Sequence, residues 1–308
     1  MNYFIGIDGG GTKTYCVLCD ENLQVLNSLQ SGPSNFLTIG TEIVSKTILD
    51  MIINCCGKSK INTNELSGIV LGTTGAGREN EAKKLETSVL KLTENHKIKL
   101  PFFKVFSDAR IALEGAFSGN PGSILISGTG SIMFGKDKEG KIHRVGGFGR
   151  LIGDEGSGYS IGKKGLNAIS KYFDGRGKET LLTKTVEDKF GINDQSKLIT
   201  KVYNNEINIQ DVAPLVIEDA SNEDEICNNI LDDETSELLL HILAMKNNFK
   251  DDIMKLVFIG GLISNENLFS KMLKEKILTF VPRVEIQNAD FPPEIGAVII
   301  AKELSEKL

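Results

Sequence analysis

The chain has 308 residues, of which 40% are hydrophobic and 25% are charged. These fractions are ordinary for folded globular proteins and exclude disordered and fibrous classes, while the length predicts two lobes of ordinary size. The formal net charge of −6 and the pI near 5.3 argue against a nucleic-acid-binding surface, which needs clustered Lys and Arg.

The first half of the chain predicts the element order βββαβαβα. Apolar runs bounded by polar turns predict a three-stranded meander, after which helices alternate with two further strands. The predicted strands cover residues 3–7, 14–19, 23–29, 68–71 and 102–106, and the predicted helices cover residues 43–55, 79–94 and 109–117.

The same plan begins again after the turn signal Gly-Asn-Pro-Gly at 119–122, which indicates a weak internal repeat. Residues 166–248 interrupt the second copy with a helical, polar pattern that contains no strand signal. The predicted strands of this half cover residues 123–127, 131–135, 141–145, 255–259 and 283–287, and helices are expected at 265–278 and 293–308.

Cysteine usage and the apolar runs indicate the compartment. The five cysteines lack paired CxxC spacing, and Cys16 and Cys19 on one strand would point to opposite faces, so we expect reduced thiols that pack in the core rather than bind metal. The apolar runs are short and interrupted by glycine, and no basic segment followed by an apolar stretch opens the chain. We therefore expect a cytoplasmic protein that does not bind membranes.

The segment GIDGGGTKT at 6–14 places glycines in a tight reversal between two strands. Such a reversal lets backbone amides approach an anion closely, so Gly10 and Gly11 are candidate phosphate-binding residues, with hydroxyl donors from Thr12 and Thr14. Lys13 either reaches a phosphate oxygen or is solvated. The motif is neither GxxxxGK[ST] nor GxGxxG, and the alternative is a glycine-rich hairpin without a ligand.

Asp8 lies at the carboxyl end of the first strand, directly before these glycines. A carboxylate in contact with a phosphate would be repelled by it. Its expected role is therefore to hold Mg²⁺ through water.

A second Gly/Thr-rich reversal, ISGTGSI at 126–132, occupies the corresponding place in the second half. We expect the two reversals to face each other across a cleft, on either side of one polyphosphate. The candidate phosphate-binding residues here are Gly128, Thr129, Gly130 and Ser131.

Later in the chain, VFIGGLISNENL at 257–268 predicts a strand, a Gly260-Gly261 turn and a helix from about Ser264. An adenine can lie on such a turn, although a plain βα turn would have the same sequence.

Reactive groups occur in two further places. Asp108 in VFSDARIA follows a strand and opens a helix, which places its carboxylate at the edge of the sheet where α/β proteins bind ligands; the alternative is a plain N-cap. The segment GGFGRLIGDEGSGYSIG at 146–162 is too rich in glycine for a regular element, and its Asp154-Glu155 predicts a binding loop that runs into a helix. The three histidines are far apart, and neither GxSxG nor HExxH occurs.

Seven motifs, spread over nearly the whole chain, carry a family resemblance. They are GIDGGGTKT at 6–14, GPSN at 32–35, SDA at 107–109, SGTGS at 127–131, GGFG with IGDEGSGY at 146–159, IGG at 259–261 and PPEIGAVIIA at 292–301. Together they resemble the actin, sugar kinase and heat-shock ATPase superfamily, and within it the N-acetylglucosamine kinase branch of the BadF/BadG/BcrA/BcrD-type ATPases.

The resemblance implies an α/β fold of two actin-like (ribonuclease H-like) lobes with a nucleotide cleft between them. Each lobe is expected to be a mixed sheet with a three-stranded meander flanked by helices. The expected lobes are residues 1–118, completed by a C-terminal helix at 293–308, and residues 119–292, with a helical insertion at about 166–250.

The resemblance further implies an ATP- and Mg²⁺-dependent kinase that phosphorylates a hydroxyl of an N-acetylated amino sugar in cell-wall or amino-sugar salvage. Asp108 would be the general base and Asp8 would position Mg²⁺. A homodimer is expected, without nucleic acid or membrane partners. The residues expected to hold the sugar are Asn35, Asp108, Thr129, Gly147, Asp154 and Ser157, and those expected to bind ATP are Gly10, Gly11, Thr12, Lys13, Gly128, Thr129, Gly130, Ser131, Gly260 and Gly261.

This sequence departs from the vertebrate enzymes of that branch in the glycine loop, where Phe148 replaces a tryptophan and Arg150 replaces a histidine. An arginine beside the sugar can accept a lactyl carboxylate. We therefore expect either N-acetylglucosamine alone or N-acetylmuramic acid as well to be a substrate.

Two other functions are alternatives within the same superfamily. An activator ATPase of acyl-CoA dehydratases or reductases needs interfacial cysteines for an iron–sulfur cluster, and the only adjacent pair here is Cys55-Cys56 in an ordinary amphipathic helix. A non-catalytic sugar sensor would keep the glycine loops without needing Asp108. The zinc-dependent sugar kinases are disfavoured because their CxCGxxGC cluster is missing.

Overall fold

The structure is a computed structural model that describes residues 2–250 and 252–307. Its strands are β1 Tyr3–Gly9, β2 Thr14–Asp20, β3 Val25–Ser31, β4 Leu66–Thr73, β5 Phe103–Ser107, β6 Gly122–Ser127, β7 Ser131–Lys136, β8 Ile142–Gly146, β9 Met254–Ile259 and β10 Val284–Gln287. Its α-helices are α1 Phe36–Ile39, α2 Thr41–Lys58, α3 Glu79–Asn95, α4 Asp108–Ala116, α5 Gly158–Phe173, α6 Leu181–Phe190, α7 Gln195–Tyr203, α8 Ala213–Ser221, α9 Glu225–Lys246, α10 Leu268–Phe280 and α11 Pro293–Ser305.

Two compact units divide the chain. The first consists of Met1–Pro121 and Asn288–Leu308, and the second is Gly122–Gln287. The chain therefore leaves the first unit, builds the second and returns to the first with α11. Leu308, the last residue of the predicted final helix, lies outside the described residues.

The first unit contains a five-stranded sheet in the order β3-β2-β1-β4-β5. Strands β1 to β3 form the predicted antiparallel meander, and β4 and β5 run parallel to β1. Alternate residues of the strands fill two cores, so that Ile5 and Cys16 pack with α2 and α3 on one face while Phe4 and Cys19 pack with α11 on the other. The expectation that Cys16 and Cys19 point to opposite faces is confirmed.

Helix α11 packs unusually close to β1 and α4 because two glycines make room for it. A Cβ atom on Gly6 would lie 2.0 Å from the carbonyl oxygen of Glu294, and one on Gly296 would lie 1.9 Å from that of Ile111. This close packing brings Glu294, in the first turn of α11, to the strand that carries Asp8.

The second unit repeats the arrangement, with a five-stranded sheet in the order β10-β9-β6-β7-β8. Strands β6 to β8 form an antiparallel meander, while β9 and β10 continue parallel to β6. The insertion between β8 and β9 folds as the helices α5 to α9 and shares one apolar core with the sheet. The predicted fold class, two mixed sheets each with a meander and flanking helices, is confirmed.

Two details differ from the sequence expectations. The short helix α1 was not expected. Helix α10 begins at Leu268 rather than near Ser264, because Gly260 O accepts hydrogen bonds from the amides of Ile263 and Ser264 in a separate turn. Among the helices of the described residues, none has both the length and the apolar composition that crossing a bilayer requires.

Candidate active site

In the first unit, three neighbouring parallel strands bring polar side chains to one edge of the sheet. Strands β1, β4 and β5 are in register, with Gly9 opposite Thr73 and Thr73 opposite Ser107. Asp8, Thr74 and Asp108 therefore lie together at the carboxyl ends of these strands, the edge at which open α/β sheets bind ligands.

The Asp108 carboxylate is held from two directions. Thr74 donates its hydroxyl proton to Asp108 Oδ2 over 2.8 Å, and the amide of Ala109 donates to Oδ1 over 2.8 Å. The N-cap of α4 is Ser107, whose hydroxyl accepts from the amide of Arg110, so the plain-cap reading of Asp108 is wrong. Thr74 was missed by the sequence analysis; its signal was the segment GTTGAG at 72–77, another Gly/Thr-rich strand end.

Asp8 is partly buried and lies near two other carboxylates. Burial, followed by the charges of Glu294 and Asp108, raises the pKa of Asp8 to about 6. Glu294 was also missed: the PPEIGAVIIA segment at 292–301 was used for the family resemblance and for the predicted final helix, without a role for this carboxylate. Within residues 2–250 and 252–307, no group of three His, Cys, Asp or Glu side chains is arranged to hold a metal by itself.

These carboxylates nevertheless fit Mg²⁺. This ion usually keeps several waters and is bound through one or two carboxylates together with substrate phosphates. A cation near Asp8 would also offset the repulsion among the three acids.

The first glycine hairpin exposes its tip. Gly9 pairs with Thr14, the amide of Gly10 donates to Lys13 O over 2.9 Å, and Gly11, Thr12 and Lys13 are exposed. Thr14 is fully buried and donates its hydroxyl proton to Gly32 O over 2.7 Å. The expectation that Thr14 offers a hydroxyl to a phosphate is therefore wrong.

Asn35 lies beside the strand end that carries Thr74. Its Oδ1 accepts from the amide of Leu37 and so caps α1. A Cβ atom on Gly75, which has φ +95°, would be 3.4 Å from the same oxygen. The first unit thus gathers Asp8, Asn35, Thr74 and Asp108 into one region.

In the second unit, the hairpin between β6 and β7 is joined to the start of α5. Gly128 O accepts from the amide of Gly158 over 2.7 Å, and Thr129 O accepts from the amide of Tyr159 over 3.3 Å. The Gly128 amide donates to Gly130 O, and Thr129 is exposed. The amide of Gly128 is therefore already used within the hairpin.

Two serines of this hairpin hold the loop that precedes α5. Ser127 donates its hydroxyl proton to Gly156 O over 2.7 Å, and Ser131 donates to Glu155 O over 2.5 Å. Ser157 is fully buried, and its hydroxyl accepts from the amide of Ser160 as the N-cap of α5. The hydroxyl proton of Ser131 and the hydroxyl oxygen of Ser157 are thus engaged within the protein, where they help to fix the loop.

Asp154 reaches the tip of the same hairpin. It adopts φ +60°, and its Oδ1 accepts from the amide of Gly149 over 3.1 Å. A Cβ atom on Gly130 would lie 2.8 Å from Asp154 Oδ2, so the missing side chain of Gly130 makes room for the carboxylate. Burial is the main reason that the pKa of Asp154 is raised.

Two arginine side chains contact the rest of the glycine loop, residues 146–157. Arg144 donates to Gly146 O over 3.2 Å and also to Gly147 O, and its guanidinium lies 5.8 Å from the centre of the Phe148 ring. Gly147 has φ +70° and packs on Ile132. The Arg150 guanidinium lies 5.4 Å from the centre of the Tyr159 ring, and in the described part of the chain no carboxylate forms an ion pair with it.

The glycine pair after β9 lies against the hairpin. Gly260 has φ +98°, and a Cβ atom on it would lie 2.3 Å from Ser127 O. Gly261 is exposed, with no heavy atom within 4 Å of the position of a Cβ atom. The turn therefore has an open backbone surface.

The cysteines do not resemble metal ligands. All five are unpaired and buried. Burial raises the pKa of Cys19 and of Cys56 to about 12, so both remain thiols at neutral pH. The cysteines expected of an interfacial iron–sulfur cluster are thus absent from the surface.

Comparison with known proteins decides the family. The sequence profile described as the BadF/BadG/BcrA/BcrD ATPase family matches residues 5–301. This chain belongs to that family. The family resemblance drawn from the motifs is confirmed, and membership of a family of ATPases implies the use of ATP.

Members of the family with assigned activities align over nearly the full length. The N-acetylmuramic acid/N-acetylglucosamine kinase of Clostridium acetobutylicum is 35% identical, covering 98% of this chain and 99% of the relative, and the N-acetyl-D-glucosamine kinase of Dictyostelium discoideum is 32% identical, covering 97% of each. A Chromobacterium violaceum structure assigned as an N-acetylglucosamine kinase shares the fold, with a TM-score of 0.74 at 23% identity, covering 97% of this chain and 99% of that one.

Proposed function

We propose that this protein is an ATP-dependent kinase that transfers the γ-phosphate of ATP to a hydroxyl of an N-acetylated amino sugar, N-acetylglucosamine first. The observation that carries the proposal is the Asp108 carboxylate, placed at the ligand-binding edge of the sheet and oriented by Thr74 and the Ala109 amide. The activities of the two full-length relatives support the choice of acceptor. The product would enter amino-sugar or cell-wall salvage.

In the proposed reaction Asp108 acts as general base. A sugar hydroxyl oxygen attacks the γ-phosphorus, the bond from that phosphorus to the β–γ bridging oxygen breaks, and ADP leaves. The hydroxyl proton passes to the Asp108 carboxylate. Thr74 and the Ala109 amide each occupy one carboxylate oxygen from one side, which fixes the rotamer and aims the remaining lone pairs.

The phosphate contacts are assigned to the two glycine hairpins. We assign the exposed tip residues Gly11, Thr12 and Lys13 to phosphate oxygens of ATP, and Gly10, whose amide bonds to Lys13 O, to the shape of the turn that presents them. On the second hairpin we assign the same role to Thr129 and Gly130, whereas Gly128, whose amide bonds to Gly130 O, shapes the turn and Ser131 contributes by holding the loop. Gly261 offers an open backbone surface for adenine, and Gly260, which packs against Ser127 O, holds the turn beside the hairpin.

Asp8 would hold Mg²⁺ through water. The ion, when bound, neutralises charge on the transferring phosphate. Asp8 has no other assigned role, and its pKa is raised first by burial and then by the charges of Glu294 and Asp108.

The sugar contacts divide between direct and supporting residues. Asn35, Thr129, Gly147 and Asp154 are assigned to sugar oxygens and the acetamido group, because they lie at accessible positions of the loops described above. Ser157 supports them as the buried cap of α5.

The test is a coupled assay of ATP consumption with N-acetylglucosamine, N-acetylmuramic acid, glucosamine and glucose. Asp108→Asn keeps the shape but loses the base, so we expect kcat to fall by about 10² to 10⁴ with ATP binding retained. Asp50→Asn, an exposed carboxylate change on α2, is the matched control and should be neutral. Near-full activity of Asp108→Asn would remove the base assignment, and turnover of none of the sugars would remove the proposed function.

We further propose that Arg150 makes N-acetylmuramic acid a second acceptor. Its guanidinium is positioned over Tyr159, in the loop that leads to Asp154, and is free to pair with a lactyl carboxylate. Arg150→Met should raise the KM for N-acetylmuramic acid about tenfold or more and leave that for N-acetylglucosamine unchanged. An equal change for both sugars would contradict a carboxylate-specific contact.

The remaining assignments are a cytoplasmic location and a homodimer. The unpaired, buried thiols support a reducing compartment. Light scattering of the purified chain at several concentrations would test the dimer, and a mass equal to one chain throughout would exclude it.

A further inference from the structure

Glu234 is a buried carboxylate that the mechanism above does not use. It lies in the middle of α9, in the helical insertion, and only 1% of it is exposed. Burying a carboxylate is costly unless it is paired and hydrogen-bonded, so its partners show what it stabilises.

Each partner of Glu234 belongs to residues 146–157, the glycine loop assigned to the sugar and called the acceptor loop below, or to helix α5, which follows it. Glu234 Oε2 accepts from the amide of Gly156, and Oε1 accepts from the hydroxyl of Ser160 over 2.7 Å. The Lys164 ammonium lies 3.0 Å from Oε1 and balances the charge. Hydrogen bonds to an ionised acceptor are about twice as strong as neutral ones.

The same face of α9 supports a second part of the loop. Leu238 and His241 follow Glu234 at helical spacing, so their side chains lie on one face. A Cβ atom on Gly156 would lie 2.2 Å from Leu238 Cγ, and one on Gly146 would lie 2.2 Å from His241 Nε2. Helix α9 therefore packs directly against both glycine segments that frame residues 146–157.

The loop is thus held from two sides. Ser127 and Ser131 of the hairpin hold the carbonyls of Gly156 and Glu155, while Glu234 holds the Gly156 amide from the side of α9. Asp154, assigned to the sugar, lies two residues before Gly156. A small displacement of Gly156 would move the Asp154 carboxylate away from the hairpin tip.

We propose that Glu234 is a positioning residue for acceptor binding, acting through the backbone of Gly156 and the start of α5. This inference rests on the proposed function, in which residues 146–157 bind the sugar. It gives the helical insertion a role in specificity, because a residue outside every motif then determines the geometry of the acceptor loop.

The experiment compares Glu234→Gln with Asp224→Asn. The control is matched because Asp224 is also a buried carboxylate of the insertion that accepts two amide protons, from Leu181 and Cys227, but does not contact the loop. In Glu234→Gln, an amide group replaces one acceptor oxygen and faces the three donors described above, from Gly156, Ser160 and Lys164. We therefore expect the KM for N-acetylglucosamine to rise about tenfold or more, and the KM for ATP to stay unchanged within about twofold. Asp224→Asn should lower thermal stability without a selective rise in the KM for the sugar.

Hydrogen exchange supplies a readout that does not depend on activity. Peptides covering residues 146–160 should exchange faster in Glu234→Gln than in the parent, while peptides covering the hairpin at 9–14 should not change. If the parent turns over no sugar but this local change is seen, the proposed function fails and the loop-holding role stands. Unchanged exchange, or an equal rise of both KM values, would overturn the inference.

Ser160→Ala is a milder second variant in case Glu234→Gln does not fold. It removes one of the two hydrogen bonds and leaves the charge pair with Lys164 intact. We expect the same selective rise in the KM for the sugar, by about threefold. An unchanged KM for the sugar would count against the role of Glu234.

Discussion

Asp8 carries a charge whose cost to stability follows from its surroundings. Its pKa is about 6 in the folded chain, against 3.8 for an unperturbed aspartate, so the folded state binds the proton more tightly than the unfolded state. Stability therefore falls as pH rises from about 4 to about 6, and the loss, about 3 kcal/mol, is complete above that window. An ion that binds beside Asp8 would recover part of this free energy.

We predict that Asp8→Asn stabilises the protein at pH 8 and is nearly neutral at pH 4, because the asparagine removes a buried charge that is present only at the higher pH. Thermal unfolding in EDTA, without ATP, would show a Tm higher by several degrees at pH 8. The control Asp50→Asn should shift the Tm by the same amount at both pH values. A Tm gain of the same size at pH 4 would contradict the electrostatic cause.

The polar residues of the site also show the limit of reading one side chain at a time. Thr12 and Thr14 are equivalent in sequence, yet Thr12 is exposed while Thr14 is buried with its hydroxyl on Gly32 O. Strand alternation, which places neighbours two apart on the same face, no longer applies at the hairpin tip. The availability of each hydroxyl therefore depended on contacts distant in sequence.

Among the elements, α11 shows how a local motif determines packing. PPEIG places Pro293 in the first turn, Glu294 next to it and Gly296 where the helix meets the carbonyl of Ile111 in α4. The glycine lets α11 approach β1 and α4 closely enough to bring Glu294 near Asp8.

We predict that Gly296→Ala destabilises the protein by about 2 kcal/mol or more, because its methyl group would overlap backbone that cannot move easily. Gly57→Ala is the matched control: it lies in α2 with no heavy atom within 4 Å of a Cβ position, so a better helix former should stabilise by about 0.5 kcal/mol. Urea unfolding of both variants gives the comparison. Equal effects would show that helix propensity, not close packing, governs Gly296.

At the scale of the whole molecule, two units share one topology although their sequences share little beyond the placement of strands and glycine reversals. The repeat was readable because strand periodicity and turn residues are local signals. No local signal in the sequence predicts that the chain returns to the first unit, since α11 is separated from its neighbours β1 and α4 by the entire second unit.

The sequence by itself determined the strands and their order, the two glycine hairpins and the position of Asp108 at a strand end, because hydrophobic periodicity, glycines and capping residues act over a few residues. Only the tertiary structure decided which polar groups are free and which are engaged: Ser107 caps α4 so that Asp108 does not, Ser131 holds Glu155, and Glu234 holds Gly156 across 78 positions of sequence. A hydrogen-bonding side chain takes whichever partner the fold brings within about 3 Å, and that partner carries no signal in the neighbouring sequence.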